Sequence, residues 1–262
     1  MFDLRFKAIQ LLNTVRNPHL VAKYGFDLPG LVACITSTVC NRRCPYCLHG
    51  KKKLTPQDIS PEILAKFLCR VEEARWRGIA LLGGFAEQCL FKPCEITLRE
   101  LTRMGCLNSL YSNGDYPDLL GKWLDEGILK RVIITAHQNP NAQWHKRVKV
   151  VKDRHPFRVK VYAPTIHDWA GQVETEGAVP ILMETCHSES GSYVVDMDGS
   201  LKLCCVDAES QYNFGSVYDA PMMEAWTSPE WKAKRHKLRH GIAVCDLCRS
   251  CGLRREWVSP SK

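Results

Sequence analysis

Three cysteines near the start of the chain carry the clearest chemical pattern in the sequence. Cys40, Cys44 and Cys47 follow one another with the spacing C-x3-C-x2-C. Three thiolates hold three corners of a four-iron cluster and leave one iron open, whereas a cluster held by four cysteines carries electrons or stabilises a fold. An open iron binds and reduces a small molecule, so the spacing predicts a catalytic iron–sulfur site. Zinc is the alternative, but tetrahedral zinc needs a fourth ligand nearby, and His49 lies only two residues beyond Cys47.

The elements around these cysteines predict an α/β fold. The apolar stretch 31–36 is typical of a buried strand, so the cysteines follow at its carboxyl end, where α/β folds place their chemistry. Helical and strand patterns then alternate, which argues for parallel βαβ units. The predicted helices cover 60–71, 95–104, 116–126 and 143–154, and the predicted strands cover 79–82, 110–112, 132–136 and 159–162.

The cysteine run, with the aromatic Tyr46 before its third cysteine, resembles the signature of the radical S-adenosylmethionine (SAM) enzymes. The resemblance implies a partial, open (β/α)6 barrel and a [4Fe-4S] cluster on Cys40, Cys44 and Cys47. It also implies that SAM chelates the open iron through its amine and carboxylate, and that one-electron reduction cleaves it to a 5′-deoxyadenosyl radical.

Two further stretches resemble SAM-binding motifs of that family. The run Gly83-Gly84-Phe85-Ala86-Glu87-Gln88 resembles the family's G-x-G-E-P stretch, with Ala86 and Gln88 in place of glycine and proline. Glycine allows a close approach of the backbone to a ligand, and the resemblance implies that Glu87 and backbone carbonyls accept from the SAM ammonium group. Ser112-Asn113-Gly114 resembles the "TNG" stretch, which implies that Ser112 and Asn113 lie near SAM.

A second group of cysteines occupies the last third of the chain. An alternating segment and a turn predict a β-hairpin over 192–203, which brings Cys186 and Cys204 together. A predicted helix begins at Ser228-Pro229 and leads to a C-x2-C-x2-C run formed by Cys245, Cys248 and Cys251. The region resembles the SPASM and twitch extensions of radical SAM proteins, which bind auxiliary [4Fe-4S] clusters.

The number of ligands favours one auxiliary cluster. A fully coordinated cluster needs four, and the sequence offers Cys186, Cys204 and two of Cys245, Cys248 and Cys251, with the spare one left open. This favours a twitch-like extension, while zinc remains an alternative because C-x2-C is also a zinc spacing. The predicted organisation is an N-terminal segment at 1–29, the barrel at 30–180 and the auxiliary iron–sulfur domain at 181–262.

Composition and charge indicate the size of the core, the cellular compartment and the kinds of partner to expect. With 262 residues, 45% hydrophobic, the chain is long enough for a sizeable core and an appended subdomain. Fourteen cysteines without a signal-peptide pattern at the N-terminus predict a reducing cytoplasm, and no apolar stretch is long enough to cross a membrane. The net charge of +8 comes without a nucleic-acid motif, so nucleic-acid binding is not predicted. The lysines at 51–53 follow the cysteine loop and favour an acidic electron donor such as flavodoxin or ferredoxin.

Three functions remain open from the sequence. Cysteine spacing and short length make the chain most similar to the 2-deoxy-scyllo-inosamine dehydrogenases, twitch-type radical SAM oxidoreductases that oxidise an alcohol. This implies hydrogen abstraction from a small polar substrate, with the auxiliary cluster as electron acceptor. The alternative is an epimerase or peptide-modifying enzyme in which Cys205 returns a hydrogen atom. The third possibility is a non-catalytic iron–sulfur or zinc protein.

Overall fold

Within the described residues, one mixed sheet of eight strands forms the centre of the protein. The structure is a computed structural model that describes residues 2–45, 47–51, 54–136, 140–163, 172, 191–204, 207 and 210–251. The strands are β1 (Leu31–Ile35), β2 (Ile79–Gly83), β3 (Leu107–Ser112), β4 (Arg131–Thr135), β5 (Val159–Tyr162), β6 (Ser192–Val195), β7 (Ser200–Lys202) and β8 (Asn213–Ser216). Their order across the sheet is β5-β4-β3-β2-β1-β6-β7-β8.

The first five strands are parallel, and helices cover one of their faces. The helices are α1 (Phe2–Arg16), α2 (Pro18–Tyr24), α3 (Leu48–Lys51), α4 (Pro61–Glu73), α5 (Cys94–Arg103), α6 (Pro117–Asp125), α7 (Ala142–Arg154), α8 (Met222–Thr227), α9 (Pro229–Arg239) and α10 (Asp246–Ser250). Alternate strand residues such as Val32, Leu82 and Leu110 are buried in the main core, together with Phe67 of α4 and Leu98 of α5. Burying these apolar side chains supplies the main driving force for folding.

Side chains at helix starts explain why several helices begin where they do. The hydroxyl of Ser60 accepts from the amide of Ile63 at 3.3 Å, and proline follows at the first helical position of α4. Asn141 accepts from the amide of Trp144 at 2.8 Å and begins α7 in the same way. These caps satisfy amide groups that lack partners within the helix. The capping prediction at Ser60-Pro61 is therefore confirmed.

The alternating strands and helices confirm the predicted fold class. Each predicted strand between residues 31 and 162 is present, although β3 begins at Leu107, earlier than the predicted 110. The hairpin predicted over 192–203 is also present as the antiparallel pair β6 and β7. The predicted domain boundary at residue 180 lies outside the described residues and stays a prediction.

The pairing of β6 was not predicted. This strand lies parallel to β1, with Leu31 opposite Ser192 and Cys34 opposite Val195. The C-terminal hairpin thus continues the sheet on the far side of β1. Because β6 is parallel to β1, the carboxyl end of β6 lies at the same edge as the cysteine loop that follows β1.

The N-terminal helix α1, also not predicted, lies at the opposite end of the sheet. The Asn13 amide donates to the carbonyl of Gly30 at 2.6 Å, just before β1 begins. Asn17 accepts from the amide of Arg77 at 2.7 Å, just before β2 begins. These contacts hold the amino ends of the strands and leave the carboxyl edge for the site.

Each helix in the described part of the chain is too short or too polar to span a bilayer.

Candidate functional site

The loop after β1 carries Cys40, Cys44 and Cys47, and the segment at 54–59 holds its first part. The Thr36 amide donates to the Gly83 carbonyl at 2.9 Å, which joins the ends of β1 and β2. The Thr38 hydroxyl donates to the Thr55 carbonyl at 2.7 Å. The Val39 amide donates to the Ser37 hydroxyl at 2.9 Å. The chain therefore enters the cysteine loop from a fixed position.

The three thiols lie in a tight turn. The Cys47 amide donates to the Cys44 carbonyl at 3.0 Å, and the Gly50 amide donates to the Cys47 carbonyl at 2.9 Å. Cys44 is buried, while Cys40 and Cys47 are half-buried. A side chain at position 50 would overlap the Cys44 carbonyl oxygen, so this close turn requires Gly50. Sequence reasoning did not identify Gly50.

Burial changes the acidity of these thiols. It raises the pKa of Cys40 and of Cys47, because the charged thiolate loses its contact with water. Hydrogen bonds from the amide of Arg42 to Cys40 and from that of His49 to Cys47 oppose this effect. A thiol must lose its proton to bind iron, so cluster binding and thiolate formation are coupled at this loop.

Glu87 joins the loops that follow β1, β2 and β3. Its side chain is fully buried, and its carboxylate accepts from the Ser112 hydroxyl at 2.9 Å and from the Asn113 amide at 2.7 Å. It also accepts from the Cys89 amide at 3.1 Å, and its own amide donates to the Val39 carbonyl at 3.0 Å. Burial raises the pKa of Glu87, and these hydrogen bonds oppose the rise. The Glu87 carboxylate thus already accepts hydrogen bonds from the protein's own hydroxyl and amide groups. Its contact with a SAM ammonium group stays a prediction.

The glycine pair before Glu87 meets the loop after β1. Gly84 has φ +137°, a conformation that side chains disfavour, and an added Cβ would lie 2.8 Å from the Ser37 carbonyl oxygen. Gly83 is different, since the nearest atom to an added Cβ is 4.0 Å away. Only Gly84 is therefore required for the close approach of the two loops.

Gln88 provides an unused buried donor beside this approach. Its Oε1 accepts from the Thr36 hydroxyl at 2.6 Å, and the residue is fully buried. Its Nε2 has no hydrogen-bond partner in the part of the chain that the structure describes. A buried donor of this kind is costly unless a ligand or water accepts from it. The donor therefore suits a polar cofactor at the carboxyl edge.

A polar network links the cysteine loop to the loop after β3. The Arg42 guanidinium donates to both carboxylate oxygens of Asp115, one of them at 2.7 Å. The amide of Asn41 also donates to Asp115 at 2.7 Å, and the amide of Asn113 donates to Asn41 at 2.8 Å. Asn113 lies 4.0 Å from the sulfur of Cys40. The predicted residue Asn113 thus lies beside Cys40, and the predicted Ser112 contacts Glu87. The Arg42–Asp115 pair was not predicted.

The second group of cysteines is brought together in part. Cys204, Cys245 and Cys248 all lie in one small apolar cluster with Leu203 and Leu238. The Sγ atoms of Cys245 and Cys248 are 3.4 Å apart. This contact raises the pKa of Cys245 and lowers that of Cys248 to about 6, since one thiol donates to the other.

The remaining predicted ligands are only partly described. Cys251 ends α10, and its amide donates to the Cys248 carbonyl at 3.2 Å. Cys186, and the candidate hydrogen donor Cys205, lie outside the described residues. Within the described ranges, no three His, Cys, Asp or Glu side chains stand close enough to hold a single metal ion. The ligand assignments at both groups stay predictions.

The donor chemistry at both places fits iron–sulfur clusters. Each place offers thiols from a short run of chain, and thiolates are the usual ligands of such clusters. The first place also has the glycine at position 84 and the unpaired donor of Gln88 at its edge.

A family of known proteins matches the part of the chain that carries the second group of cysteines. Residues 186–252 match the SPASM family, described as an iron-sulfur cluster-binding domain. Among curated proteins, no sequence matches the chain.

Solved structures with a similar fold cover most of the chain. BtrN in complex with AdoMet and 2-DOIA has 17% sequence identity and a TM-score of 0.71, over 86% of this chain and 93% of that one. A selenomethionine form of BtrN in an open conformation has 18% identity and a TM-score of 0.64, over 86% of this chain and 92% of that one. Native anSMEcpe with bound AdoMet has 15% identity and a TM-score of 0.51, over 85% of this chain and 88% of that one. The resemblance to radical SAM proteins with a SPASM-type extension is thereby confirmed at the level of the fold.

Proposed function

We propose that this protein is a radical SAM enzyme that oxidises an alcohol of a small polar substrate. The observation that carries the proposal is the position of Cys40, Cys44 and Cys47 on the loop directly after β1. At the same edge, the loops after β2 and β3 bring Glu87 and Asn113 against the cysteine loop. The fold shared with BtrN over most of both chains supports the same proposal.

Two groups would be held by the cysteines. Cys40, Cys44 and Cys47 would hold a [4Fe-4S] cluster with SAM on its open iron. Cys186, Cys204 and two of the last three cysteines would hold an auxiliary cluster, and the match to an iron-sulfur cluster-binding domain over 186–252 supports this. When bound, the first cluster and SAM supply a radical that removes hydrogen from carbon, and the auxiliary cluster supplies an electron acceptor.

The chain's own residues orient these groups and keep water away. The Arg42–Asp115 pair fixes the cysteine loop relative to the loop after β3. Glu87 fixes the loop after β2 relative to both of its neighbours. The burial of Cys44 and the half-burial of Cys40 and Cys47 would limit the access of solvent to a cluster held there.

Oxidation is preferred to epimerisation because an auxiliary cluster offers a place for the electron that leaves the substrate. The ligands named for BtrN are AdoMet and 2-DOIA, and this chain spans nearly the whole length of that protein. We therefore propose a small polar alcohol as the substrate class. The reductant would be an acidic flavodoxin or ferredoxin, and the exposed Arg43 on the cysteine loop supports such docking.

Solvent deuterium tests this proposal. The reaction is run in D2O with SAM, reductant and small alcohols of the cyclitol and sugar class, and the products are analysed by mass spectrometry. Oxidation gives a product two mass units lighter, without deuterium at the reacting carbon. A product that gains one deuterium there would overturn oxidation. If that gain were lost in Cys205→Ala, the epimerase alternative would replace it. An absence of 5′-deoxyadenosine under every condition would reject the radical SAM assignment itself.

A further inference from the structure

Asp196 and Lys202 form a buried ion pair at the point where the hairpin leaves the central sheet. Lys202 Nζ lies 3.0 Å from Asp196 Oδ2, and the two residues are 1% and 9% exposed. Because Val195 is paired with Cys34 of β1, Asp196 is the first residue beyond the paired part of β6. The sheet itself therefore fixes the position of Asp196.

The same carboxylate also holds the loop that follows β7. The Ser210 hydroxyl donates to Asp196 Oδ2, while Oδ1 accepts from the Met197 amide at 2.8 Å. Ser210 has φ +52°, in the left-handed region that residues with a side chain rarely adopt. Such a conformation persists only where the surroundings enforce it. The bond to Asp196 is one interaction that does so.

Cys204 opens the loop that Ser210 anchors. The Asp207 amide donates to the Cys204 carbonyl at 3.2 Å. The buried Asp207 carboxylate accepts from the amides of Gln211 at 3.1 Å and Tyr212 at 2.8 Å. The Ser210 amide donates to the Asp207 carbonyl at 3.5 Å, so hydrogen bonds between described residues link Asp196 through Ser210 and Asp207 to Cys204.

An ion pair in this position contributes little net stability. The cost of removing both charges from water offsets most of their attraction, and apolar residues would fill the space as well. What an ion pair adds is a defined geometry, because a buried charge without its partner is strongly disfavoured.

We propose that Asp196, Lys202 and Ser210, here called the anchor triad, are positioning residues for Cys204. They hold the Cys204 thiol at a fixed place relative to the carboxyl end of β6. The inference rests on the proposed function in one respect, namely that Cys204 is a ligand of the auxiliary cluster.

The test removes the anchor and follows the auxiliary cluster. Asp196→Asn is made in the full chain that also carries Cys40→Ala, Cys44→Ala and Cys47→Ala, so that only the auxiliary cluster remains. We expect a ferrous chelator to remove its iron about tenfold faster, with a changed electron paramagnetic resonance spectrum. Asp198→Asn is the matched control, since among the described residues this exposed carboxylate in the same turn accepts only from the Ser200 amide, at 2.8 Å. Equal rates and spectra in the two variants would overturn the proposal.

Two substitutions at position 210 distinguish the effect of the Ser210–Asp196 hydrogen bond from the effect of backbone strain. Glycine relieves the strain at φ +52° and alanine does not, but both remove the hydroxyl. If the bond to Asp196 positions the loop, both Ser210→Gly and Ser210→Ala release iron faster. Normal retention of iron in Ser210→Gly would overturn the role of the hydroxyl.

A second readout needs no cluster. Cys204 in the metal-free full-length chain should react with iodoacetamide several-fold faster in Asp196→Asn and in Lys202→Met than in Asp198→Asn, with Lys202→Arg restoring part of the protection. Unchanged reactivity would contradict the proposal even if zinc or no metal occupied the site. The proposed function is tested separately, by measuring SAM cleavage in an Asp196→Asn variant that keeps all its cysteines.

Discussion

The Ser112 hydroxyl donates to the Glu87 carboxylate at 2.9 Å, and this bond joins the loops that follow two neighbouring strands. Glu87 is fully buried and lies between the loop with the cysteines and the loop with Asn113. Its contacts make the carboxyl edge a single connected unit. The stability of the site therefore depends on a few residues that do not themselves bind metal.

Replacing Glu87 with glutamine should disturb all three loops. The glutamine amide would face one of the backbone amides that now donate to the carboxylate, and a buried donor without an acceptor costs about 2 kcal/mol. Urea unfolding of the variant should show this loss, and SAM affinity should fall with it. Glu230→Gln is the control, because that carboxylate is exposed and pairs with Lys234 on the same helix. Similar unfolding of the two variants would contradict the role assigned to Glu87.

The effect of Glu87 on stability should depend on pH. Because burial raises its pKa in the folded state, the unfolded chain releases the proton first as the pH rises above about 4.3. The stability that Glu87 contributes is therefore fully present below that pH and declines as the pH rises through the folded pKa. The difference in unfolding free energy between the wild type and Glu87→Gln should shrink with rising pH. A difference that grew over this range would show that the folded pKa is lowered instead.

The two adjacent glycines should respond differently to alanine. Gly84→Ala places a Cβ 2.8 Å from the Ser37 carbonyl oxygen at φ +137°, which should cost about 1–3 kcal/mol and displace the loop after β1. Gly83→Ala meets its nearest atom at 4.0 Å and should be nearly neutral. Thermal unfolding and iron content measure both effects. Equal losses in the two variants would be inconsistent with the close approach described at Gly84.

The ion pair between Arg42 and Asp115 should retain the first cluster. Asp115→Ala removes the carboxylate that accepts from Arg42 and Asn41, and so weakens the link between the cysteine loop and the loop after β3. We expect the reconstituted variant to lose iron to a chelator about tenfold faster than the wild type. Asp118→Ala is a matched control, since it removes an exposed pair with Arg147 from the adjacent helix. Equal iron loss from both variants would contradict the role of the pair.

Local patterns predicted the strands between residues 31 and 162, the main helices and the hairpin, because apolar periodicity and capping residues act over short stretches of chain. Ser228 shows this, since its hydroxyl accepts from the Trp231 amide at 3.3 Å and begins α9 at the predicted place. The family resemblance predicted that Glu87 and Asn113 lie near SAM, and the structure places both against the cysteine loop.

Contacts between distant parts of the chain could not be predicted in this way. The partners Arg42 and Asp115 are 73 positions apart, and no local pattern links them. The pairing of β6 with β1 joins segments about 160 residues apart in the sequence. Which strand has a free edge for β6 is decided only when the sheet has formed. Helix α1 was missed because its role lies in the asparagines that hold the start of the strands, such as Asn13.

Iron content and SAM cleavage test the central claim most directly. The full chain is reconstituted with iron and sulfide under anaerobic conditions, beside the variant that carries Cys40→Ala, Cys44→Ala and Cys47→Ala. Two four-iron clusters predict about eight irons in the wild type, and the variant should lose roughly half of them. With dithionite as reductant, the wild type should produce 5′-deoxyadenosine from SAM and the variant should produce none. A variant that kept its iron and still cleaved SAM would contradict the assignment of these three cysteines.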